Sequence, residues 1–386
     1  MRLALPLILL AGPAFAAPCG TPLPDFVQAI TAEAVAAGLP DAAAQSYLAG
    51  ARIDERVLKA DRSQGVFRMN FLDFSRRLIS DQRLKTGLKL ADQHADIFAR
   101  AAADYGVPKG ILLAFWAFET DFGQIQGDFN TRDALVTLGN DCRRPELFQP
   151  QILAAIALHA KDDLPTDTTG AWAGEIGMVQ MLPADILERG VDGDGDGHVR
   201  LKTSPADALL SGARLLQHHG WQAGQLWLLE IALPDGFDYA LSGLETEKPS
   251  DAWRDMGVLP RAGGDVPEGL PASILLPQGR HGPAFMAFAN YRVLFDWNQS
   301  FTYVTTAAYF ATRLEGAPRY HAGNPDPQLT DAQMMALQQK LAALGHDVGK
   351  IDGILGAGTR TAVQKEQIRL GLPADAWPTV ELLNAL

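Results

Sequence analysis

Residues 111–123 read ILLAFWAFETDFG, which places one carboxylate near the end of an apolar helical stretch that Gly123 is expected to stop. Eight uncharged residues precede Glu119. Apolar surroundings penalise an ionised carboxylate, so we expect the pKa of Glu119 to be raised. A carboxyl that stays protonated near neutral pH can donate a proton to a glycosidic oxygen. The alternative is a helix-end glutamate that reaches solvent.

The stretch offers no obvious second catalytic acid. A glycosidase of the usual kind needs two carboxyl groups on either side of the bond that it breaks. Asp121 is a poor candidate, because residues two apart on a helix do not face each other. No other acid stands out locally, although folding can bring a distant one close.

Residues 171–183, AWAGEIGMVQMLP, form a second candidate segment. Its two glycines allow close backbone approach. Gln180 offers both a donor and an acceptor to the amide or hydroxyl groups of a sugar, and Trp172 can stack on a sugar ring. The alternative is a tight loop over a core, with Met178 and Met181 as packing residues.

Residues 192–198, DGDGDGH, match the start of an EF-hand calcium loop. The expected ligands are Asp192, Asp194, Asp196, the backbone carbonyl of His198, and Asp207 from the next helix. The pattern departs at position twelve, where Thr203 replaces the usual bidentate Glu. Asp207 has an alternative role in the first turn of a helix capped by Ser204, and a weak or empty loop is the alternative to calcium. No organic cofactor is indicated.

Residues 298–303, NQSFTY, form the last candidate segment. Asn298 is expected to cap a helix, and Tyr303 is expected to point its hydroxyl into a cleft. An ordinary amphipathic helix is the alternative.

The net charge, the N-terminal residues and the two cysteines indicate where the protein is located and which partners are excluded. A net charge of −12 argues against nucleic acid as a partner. Residues 1–16 resemble a signal peptide with Arg2, an apolar run and a small-x-small site, so a soluble periplasmic chain without an integral membrane segment is expected. In an oxidising compartment the only two cysteines, Cys19 and Cys142, favour a disulfide over free thiols.

The composition changes along the chain indicate several domains. The pattern is mainly helical from residue 24 to about 244, and prolines, glycines and short apolar runs then suggest a small β-rich insert at about 251–290. We expect a catalytic domain over 17–320, a linker at 321–329 and a small helical domain over 330–386, beginning with a helix capped by Thr330.

Together and in this order, the four segments resemble the lytic murein transglycosylases of the membrane-bound lytic transglycosylase B type. Residues 330–386 resemble the peptidoglycan-binding type 1 module, with LQxxL at 337–341 and IDG at 351–353. Trp297 departs from the family, whose members often have Tyr there. The resemblance implies an α+β, mainly α fold: a lysozyme-like catalytic domain with a small β-rich insert, plus the helical C-terminal domain.

The resemblance also implies a reaction and a partner. Such enzymes cut the β-1,4 bond between N-acetylmuramic acid and N-acetylglucosamine in peptidoglycan glycan strands and leave 1,6-anhydro-muramyl ends. Glu119 would act as acid and then base, which agrees with the lack of a second local carboxylate. Gln180, Asn298 and Tyr303 would bind sugar or position the reacting groups, and a monomer is expected. A hydrolytic muramidase and a non-catalytic peptidoglycan-binding protein are the competing hypotheses.

Overall fold

The computed structural model describes residues 17–63 and 69–386. The helices are α1 Leu23–Ala36, α2 Asp41–Leu48, α3 Glu55–Arg62, α4 Phe71–Leu78, α5 Asp81–Gln93, α6 Ala95–Tyr105, α7 Lys109–Thr120, α8 Thr131–Asn140, α9 Pro145–His159, α10 Pro183–Arg189, α11 Pro205–His218, α12 Ser250–Asp255, α13 Ala289–Trp297, α14 Phe301–Leu314, α15 Asp331–Ala343, α16 Ala357–Leu370 and α17 Val380–Ala385. The strands are β1 Phe129–Asn130, β2 Thr169–Gly170, β3 Leu228–Ala232, β4 Lys248–Pro249, β5 Leu259–Pro260, β6 Pro271–Leu275 and β7 Ala284–Phe288.

Two compact units make up the described chain. The first unit comprises 17–63 and 126–203, and the second comprises 69–125 and 204–386. The fold is mainly helical with a small sheet, as the sequence predicted. The predicted signal peptide, residues 1–16, lies outside the described residues. In the part of the chain that the structure describes, no helix combines the length and apolar character that crossing a bilayer requires.

The first unit is a helical body with a short two-stranded ribbon. α8 packs against α9, and α1 and α2 pack against the same helix. β1 pairs with β2 in antiparallel register, so that Phe129 lies opposite Gly170. A disulfide joins Cys19 to Cys142, which are 123 positions apart in the sequence, and confirms the expected bridge between the two cysteines.

The second unit contains a five-stranded antiparallel sheet in the order β4-β6-β7-β3-β5. The sheet is more extensive than the predicted insert at 251–290, because β3 comes from the segment predicted to be helical. Its Leu228 pairs with Ala287 of β7. This pairing joins residues far apart in sequence, so local periodicity does not reveal it. α12, in turn, is a helix within the predicted β-rich segment, and its Trp253 is fully buried and donates to the Ala272 carbonyl at 2.9 Å.

α7 and α14 form the helical centre of the second unit. They pack against each other closely, since a Cβ at Gly110 would meet the carbonyl oxygen of Ala311 at 2.6 Å. Nine of the twelve residues of α7 are buried. Such a helix is hydrophobic all round, and its position is therefore fixed by burial.

Residues 330–386 fold as three short helices around their own apolar cluster, in the second unit. The Thr330 hydroxyl and the Gln333 side chain form a reciprocal capping box at the start of α15, as the sequence predicted for Thr330. The core of this segment includes Met334, Leu337 and Leu341. Leu344, the residue after α15, is 52% exposed.

Candidate active site

Glu119 lies in the last turn of α7, half-buried. The helix ends one residue later, because Asp121 adopts a left-handed conformation with φ of 50°. The expected stop at Gly123 is therefore displaced, since two non-glycine residues, Asp121 and Phe122, already have positive φ. Residues other than glycine keep this costly conformation only where contacts with the surrounding structure hold them in it.

Two hydrogen-bond donors meet at one oxygen of Glu119. The Tyr303 hydroxyl donates to Oε1, and the Trp297 indole N–H donates to the same atom at 3.1 Å. Both donors stabilise the ionised carboxylate. Burial and the neighbouring Glu119 carboxylate hold the pKa of the Tyr303 hydroxyl well above its usual value of 10. The Tyr303 hydroxyl therefore keeps its proton, and it donates that proton in the hydrogen bond to Glu119 Oε1.

Aromatic rings fix the two donors. Trp297 stacks on Phe115 with ring centroids 4.2 Å apart, and Tyr303 meets Phe118 edge to face at 5.9 Å. Phe118 also stacks on Phe310 of α14. The sequence pointed to Tyr303 but gave Trp297 no role beyond its departure from the family. Its adjacency to Asn298 was the one available signal, and its reach to Glu119 depends on the packing of α13.

Asn298 does not cap a helix start. It ends α13, and its side-chain oxygen accepts a hydrogen bond from the Ser300 N–H at 2.9 Å. Ser300 caps α14 instead, accepting from the Tyr303 N–H at 3.3 Å. The expected cap at Asn298 was wrong because α13, which the sequence analysis did not predict, occupies the residues before it. Asn298 thus shapes the turn that delivers Tyr303.

Asp121 is unsuited to act as a second catalytic carboxylate. Its Oδ1 receives the Arg83 guanidinium, with Nη2 at 2.9 Å and Nε at 3.0 Å. The ion pair keeps this carboxylate engaged by a cation, in agreement with the sequence argument that set Asp121 aside.

The loop at 171–183 belongs to the first unit and is tightly constrained. Gly174 and Gly177 both have positive φ, and a Cβ at Gly177 would lie 2.4 Å from Leu201 Cβ. Gln180 also has a positive φ of 53°, and its amide donates to the Gly177 carbonyl at 2.8 Å. Trp172 is half-buried. Close backbone approach thus explains the glycines and holds the Gln180 amide in one orientation.

Packing residues alternate with the polar ones in this loop. Met178 and Met181 are 9% and 2% exposed, so the packing role considered for them is the observed one. Glu175 is a functional candidate that the sequence analysis did not single out. Burial raises the pKa of Glu175, opposed by the N–H groups of Glu175 and Ala173 and by Arg144. Its Oε2 is buried without a hydrogen-bond partner among the described residues.

The acidic loop of the first unit brings three of its predicted ligands together. One carboxylate oxygen each from Asp192, Asp194 and Asp196 lies within 4.8 Å of the others. Asp192 also accepts the N–H groups of Gly195 and Gly197 at 2.7 and 2.9 Å, which wraps the loop around it. Hard oxygen ligands at this separation fit a calcium ion.

The side chains of His198 and Asp207 have partners of their own. The His198 ring contacts Asp163 through Nδ1 at 3.0 Å. The predicted calcium ligand is the backbone carbonyl of His198, and it stays a prediction. Asp207 is 1% exposed in the first turn of α11, where its Oδ1 accepts the Ser204 hydroxyl at 2.9 Å. Among the described residues, the group that could hold a metal comprises the three loop aspartates and does not include Asp207. The role considered as the alternative for Asp207, in the first helical turn, is the observed one.

Comparison with known proteins places this geometry in context. Residues 23–312 match the family model of the transglycosylase SLT domain, and residues 330–386 match a peptidoglycan-binding domain model. The membrane-bound lytic murein transglycosylase B of Escherichia coli is 32% identical over 194 residues. That alignment covers 46% of this chain and 53% of the relative, so it spans about half the length of that curated protein.

Solved structures resemble a larger share of the chain. SltB3 from Pseudomonas aeruginosa, in complex with NAG-anhNAM-pentapeptide, is 37% identical, has a TM-score of 0.86, and the match covers 95% of this chain and 99% of that one. The Escherichia coli lytic transglycosylase Slt35, in complex with calcium, is 25% identical with a TM-score of 0.64, covering 77% of this chain and 93% of that one.

Proposed function

Because this chain belongs to the transglycosylase SLT domain family, as a lytic transglycosylase of the membrane-bound lytic murein transglycosylase B type, we propose that it cleaves peptidoglycan. The bond broken is the β-1,4 link between N-acetylmuramic acid and N-acetylglucosamine, and the product carries a 1,6-anhydro-muramyl end. The family supports this proposal, as does the complex of the relative SltB3 with NAG-anhNAM-pentapeptide.

The observation that carries the proposal is that two neutral donors, Trp297 and Tyr303, meet at one carboxyl oxygen of Glu119. As the acid, Glu119 protonates the glycosidic oxygen while the bond to the muramyl C1 breaks. As the base, the resulting carboxylate takes the proton of the muramyl C6 hydroxyl, whose oxygen closes on C1. The proton that Glu119 gave away is thereby returned, so no water is consumed and one carboxyl suffices.

Tyr303 and Trp297 serve both halves of this cycle. Their N–H and O–H groups are aimed at Oε1 before the reaction begins, so no reorganisation is required when the carboxylate forms. Because the pKa of Tyr303 is raised, the hydroxyl keeps its proton beside the negative charge. The aromatic contacts of Phe115 and Phe118 keep both donors in place.

Sugar recognition falls to Gln180, Trp172 and Asn298 in this proposal. Gln180 is supported by the fixed orientation of its amide, and Trp172 by an indole that keeps part of its surface exposed. The segment 330–386, with its match to a peptidoglycan-binding domain, would add affinity for the polymer. The domain bounds remain those expected from the sequence: a catalytic domain over 17–320, a linker at 321–329 and a binding domain over 330–386. We place the reaction in the periplasm, where a signal peptide at 1–16 would deliver the chain as a monomer.

A calcium ion would be held by the carboxylates of Asp192, Asp194 and Asp196 and by the backbone carbonyl of His198. Its contribution would be structural, since the loop contains no group assigned to the reaction. The related Slt35 was solved in complex with calcium, which supports the choice of calcium as the ion. No organic cofactor is required by the chemistry proposed for Glu119.

Product analysis tests the proposed function. The mature chain is incubated with purified peptidoglycan, and the soluble fragments are weighed by mass spectrometry before and after borohydride reduction. Fragments lighter by one water than hydrolytic products, and unchanged by borohydride, are expected. Reducible muramyl ends would make the protein a hydrolytic muramidase, and binding without any product would make it a non-catalytic binder.

A further inference from the structure

We propose that residues 330–386 are a fixed part of the catalytic unit and that Arg360 of α16 is a positioning residue, acting on Tyr303 through Phe301. This inference rests on the proposed function, in which Tyr303 supports Glu119. It departs from the simplest reading of a linker at 321–329, which is a separable binding domain whose removal leaves the chemistry intact.

Arg360 reaches out of the C-terminal segment onto the start of α14. Its guanidinium carbon lies 4.5 Å from the centre of the Phe301 ring, and Nη2 donates to the Pro277 carbonyl at 2.7 Å. The Trp377 ring is 6.0 Å away. Burial lowers the pKa of Arg360 to about 10, which is consistent with a guanidinium enclosed by aromatic rings. A cation desolvated over a ring binds it more strongly than an exposed one.

Two further side chains of the segment, Gln364 and Asp375, attach it to the rest of the second unit. Gln364, one turn after Arg360, donates to the Ser242 carbonyl at 2.8 Å and lies within reach of the Tyr239 carbonyl at 3.2 Å. Asp375 is 1% exposed and accepts the Arg280 N–H at 3.0 Å. Gln364 is half-buried and Asp375 is buried, and both have partners outside the segment. Leaving the buried Asp375 carboxylate unpaired would be costly.

Trp377 and the linker complete the attachment. Trp377 is 2% exposed, and its indole donates to the Asp326 carbonyl at 3.0 Å. A Cβ at Gly279 would lie 2.7 Å from Trp377 Cβ, so only glycine allows this approach. The linker itself is tied down, because the Asn324 N–H donates to the His281 carbonyl at 2.8 Å. A segment held at so many points by buried groups is not a mobile appendage.

The route from Arg360 to the reaction is short. Phe301 is the first residue of α14, Ser300 caps that helix, and Tyr303 stands two residues after Phe301. Phe301 is 8% exposed, and Arg360 stacks on its ring. Helix first turns fray unless their groups are held, since their N–H groups have no partner inside the helix. Arg360 therefore restrains the turn that aims the Tyr303 hydroxyl at Glu119.

Substitution of Arg360 in the full-length chain tests this inference. Arg360→Ala is compared with Arg360→Lys, which keeps the charge without the planar group, and with Lys350→Ala, which removes an exposed cation from the same segment. The substrate is a soluble glycan oligomer, whose cleavage does not depend on adhesion to insoluble cell wall. We expect Arg360→Ala to lower kcat about tenfold with KM changed less than about twofold, Arg360→Lys to recover part of the loss, and Lys350→Ala to match the wild type.

A double-mutant cycle separates positioning from general stability. In a Tyr303→Phe background the hydroxyl that Arg360 is proposed to position is absent. Arg360→Ala should therefore lower kcat by less than about twofold in that background. An equal loss in both backgrounds, or wild-type kcat in Arg360→Ala, overturns the inference. If Arg360→Ala does not fold, as judged by circular dichroism, Arg360→Lys takes its place in the cycle under the same criteria.

A second readout does not depend on activity. Spectrophotometric titration of each chain, less that of its Tyr303→Phe counterpart, gives the pKa of Tyr303. We expect Arg360→Ala to lower that pKa toward the ordinary value of 10, because the loosened turn admits water. An unchanged pKa of Tyr303 in Arg360→Ala would contradict the role of Arg360. The absence of anhydro products from the wild-type protein would refute the proposed function instead, so the two failures can be told apart.

Discussion

Glu119 combines apolar packing with two donors at one oxygen, and this combination suits a group that must exist in both protonation states. The carboxyl is half-buried on a helix whose other faces are in the core, so the neutral acid is tolerated. Tyr303 and Trp297 then stabilise the anion. Neither feature alone would support an acid that becomes a base within one reaction.

The role of Glu119 predicts the outcome of a matched pair of substitutions. Glu119→Gln preserves the shape but removes the transferable proton, so cleavage should fall at least about a thousandfold, within the range that a catalytic acid contributes. Asp121→Asn makes the same chemical change two residues later, at a left-handed position that Asn tolerates, and should keep activity within about threefold. Release of soluble fragments from peptidoglycan measures both. A tenth of wild-type activity in Glu119→Gln would refute its assigned role.

For individual residues, the sequence predicted the roles that depend on neighbouring residues in the chain and did not predict the roles that depend on tertiary packing. Glu119 stood out because eight uncharged residues precede it. Trp297 and Glu175 did not, since a donor brought in by α13 and a carboxylate buried under its own loop are products of tertiary contacts. Asn298 was assigned to the wrong helix end because Ser300, two residues later, had an equally good capping side chain.

Loops of the first unit carry the other candidate groups, and each is held by its own backbone. In the acidic loop, N–H groups converge on Asp192, and in the loop at 171–183 the carboxyl of Glu175 is enclosed. The alternation of Asp and Gly made the first loop recognisable in sequence. The second shows only its glycines, because the burial of Glu175 depends on the residues packed around it.

Calcium should stabilise the acidic loop. An ion that binds only the folded chain increases the free energy of unfolding, by about 2.7 kcal/mol at a hundredfold excess over Kd. The melting temperature rises as a result. Differential scanning fluorimetry with and without millimolar calcium measures the shift. Asp194→Asn should abolish it, whereas Asp167→Asn, an exposed carboxylate of the same unit, should not. A shift that survives Asp194→Asn would place the ion elsewhere.

Glu175 makes stability depend on pH with a defined sign. Its folded-state pKa is raised above 4.5, so its contribution to stability is fully present below about pH 4.5 and is lost as pH rises through the folded value. Gln at this position cannot ionise, so it acquires no buried charge as the pH rises. The melting temperature of Glu175→Gln minus that of the wild type should therefore increase between about pH 4 and pH 7. A difference that is constant over this range would contradict the buried, raised-pKa carboxyl.

The whole chain is reinforced by two kinds of long-range connection. In the first unit the Cys19–Cys142 disulfide closes a loop of 123 residues, and in the second the C-terminal segment is pinned by Arg360, Asp375 and Trp377. The cysteine count and the export signal predicted the first connection. The second was not predictable, since the motifs of 330–386 describe its own core and say nothing about which face is covered.

Loss of the disulfide should destabilise the chain by about 2–5 kcal/mol, because closing a long loop removes entropy from the unfolded state. Cys142→Ser, assayed by denaturant unfolding against the oxidised wild type, measures the loss. The wild type under reducing conditions should reproduce it. Equal stability of the reduced and oxidised chains would show that the bridge does not form in solution.

If one carboxyl suffices because no water attacks, cleavage in oxygen-18-enriched water will leave the muramyl ends unlabelled. The muramyl ends of the products are analysed by mass spectrometry. We expect the wild-type protein to give anhydro ends with no incorporated label and Glu119→Gln to give no cleavage. Label on the muramyl C1 would show that water is the nucleophile and would contradict ring closure by the C6 hydroxyl.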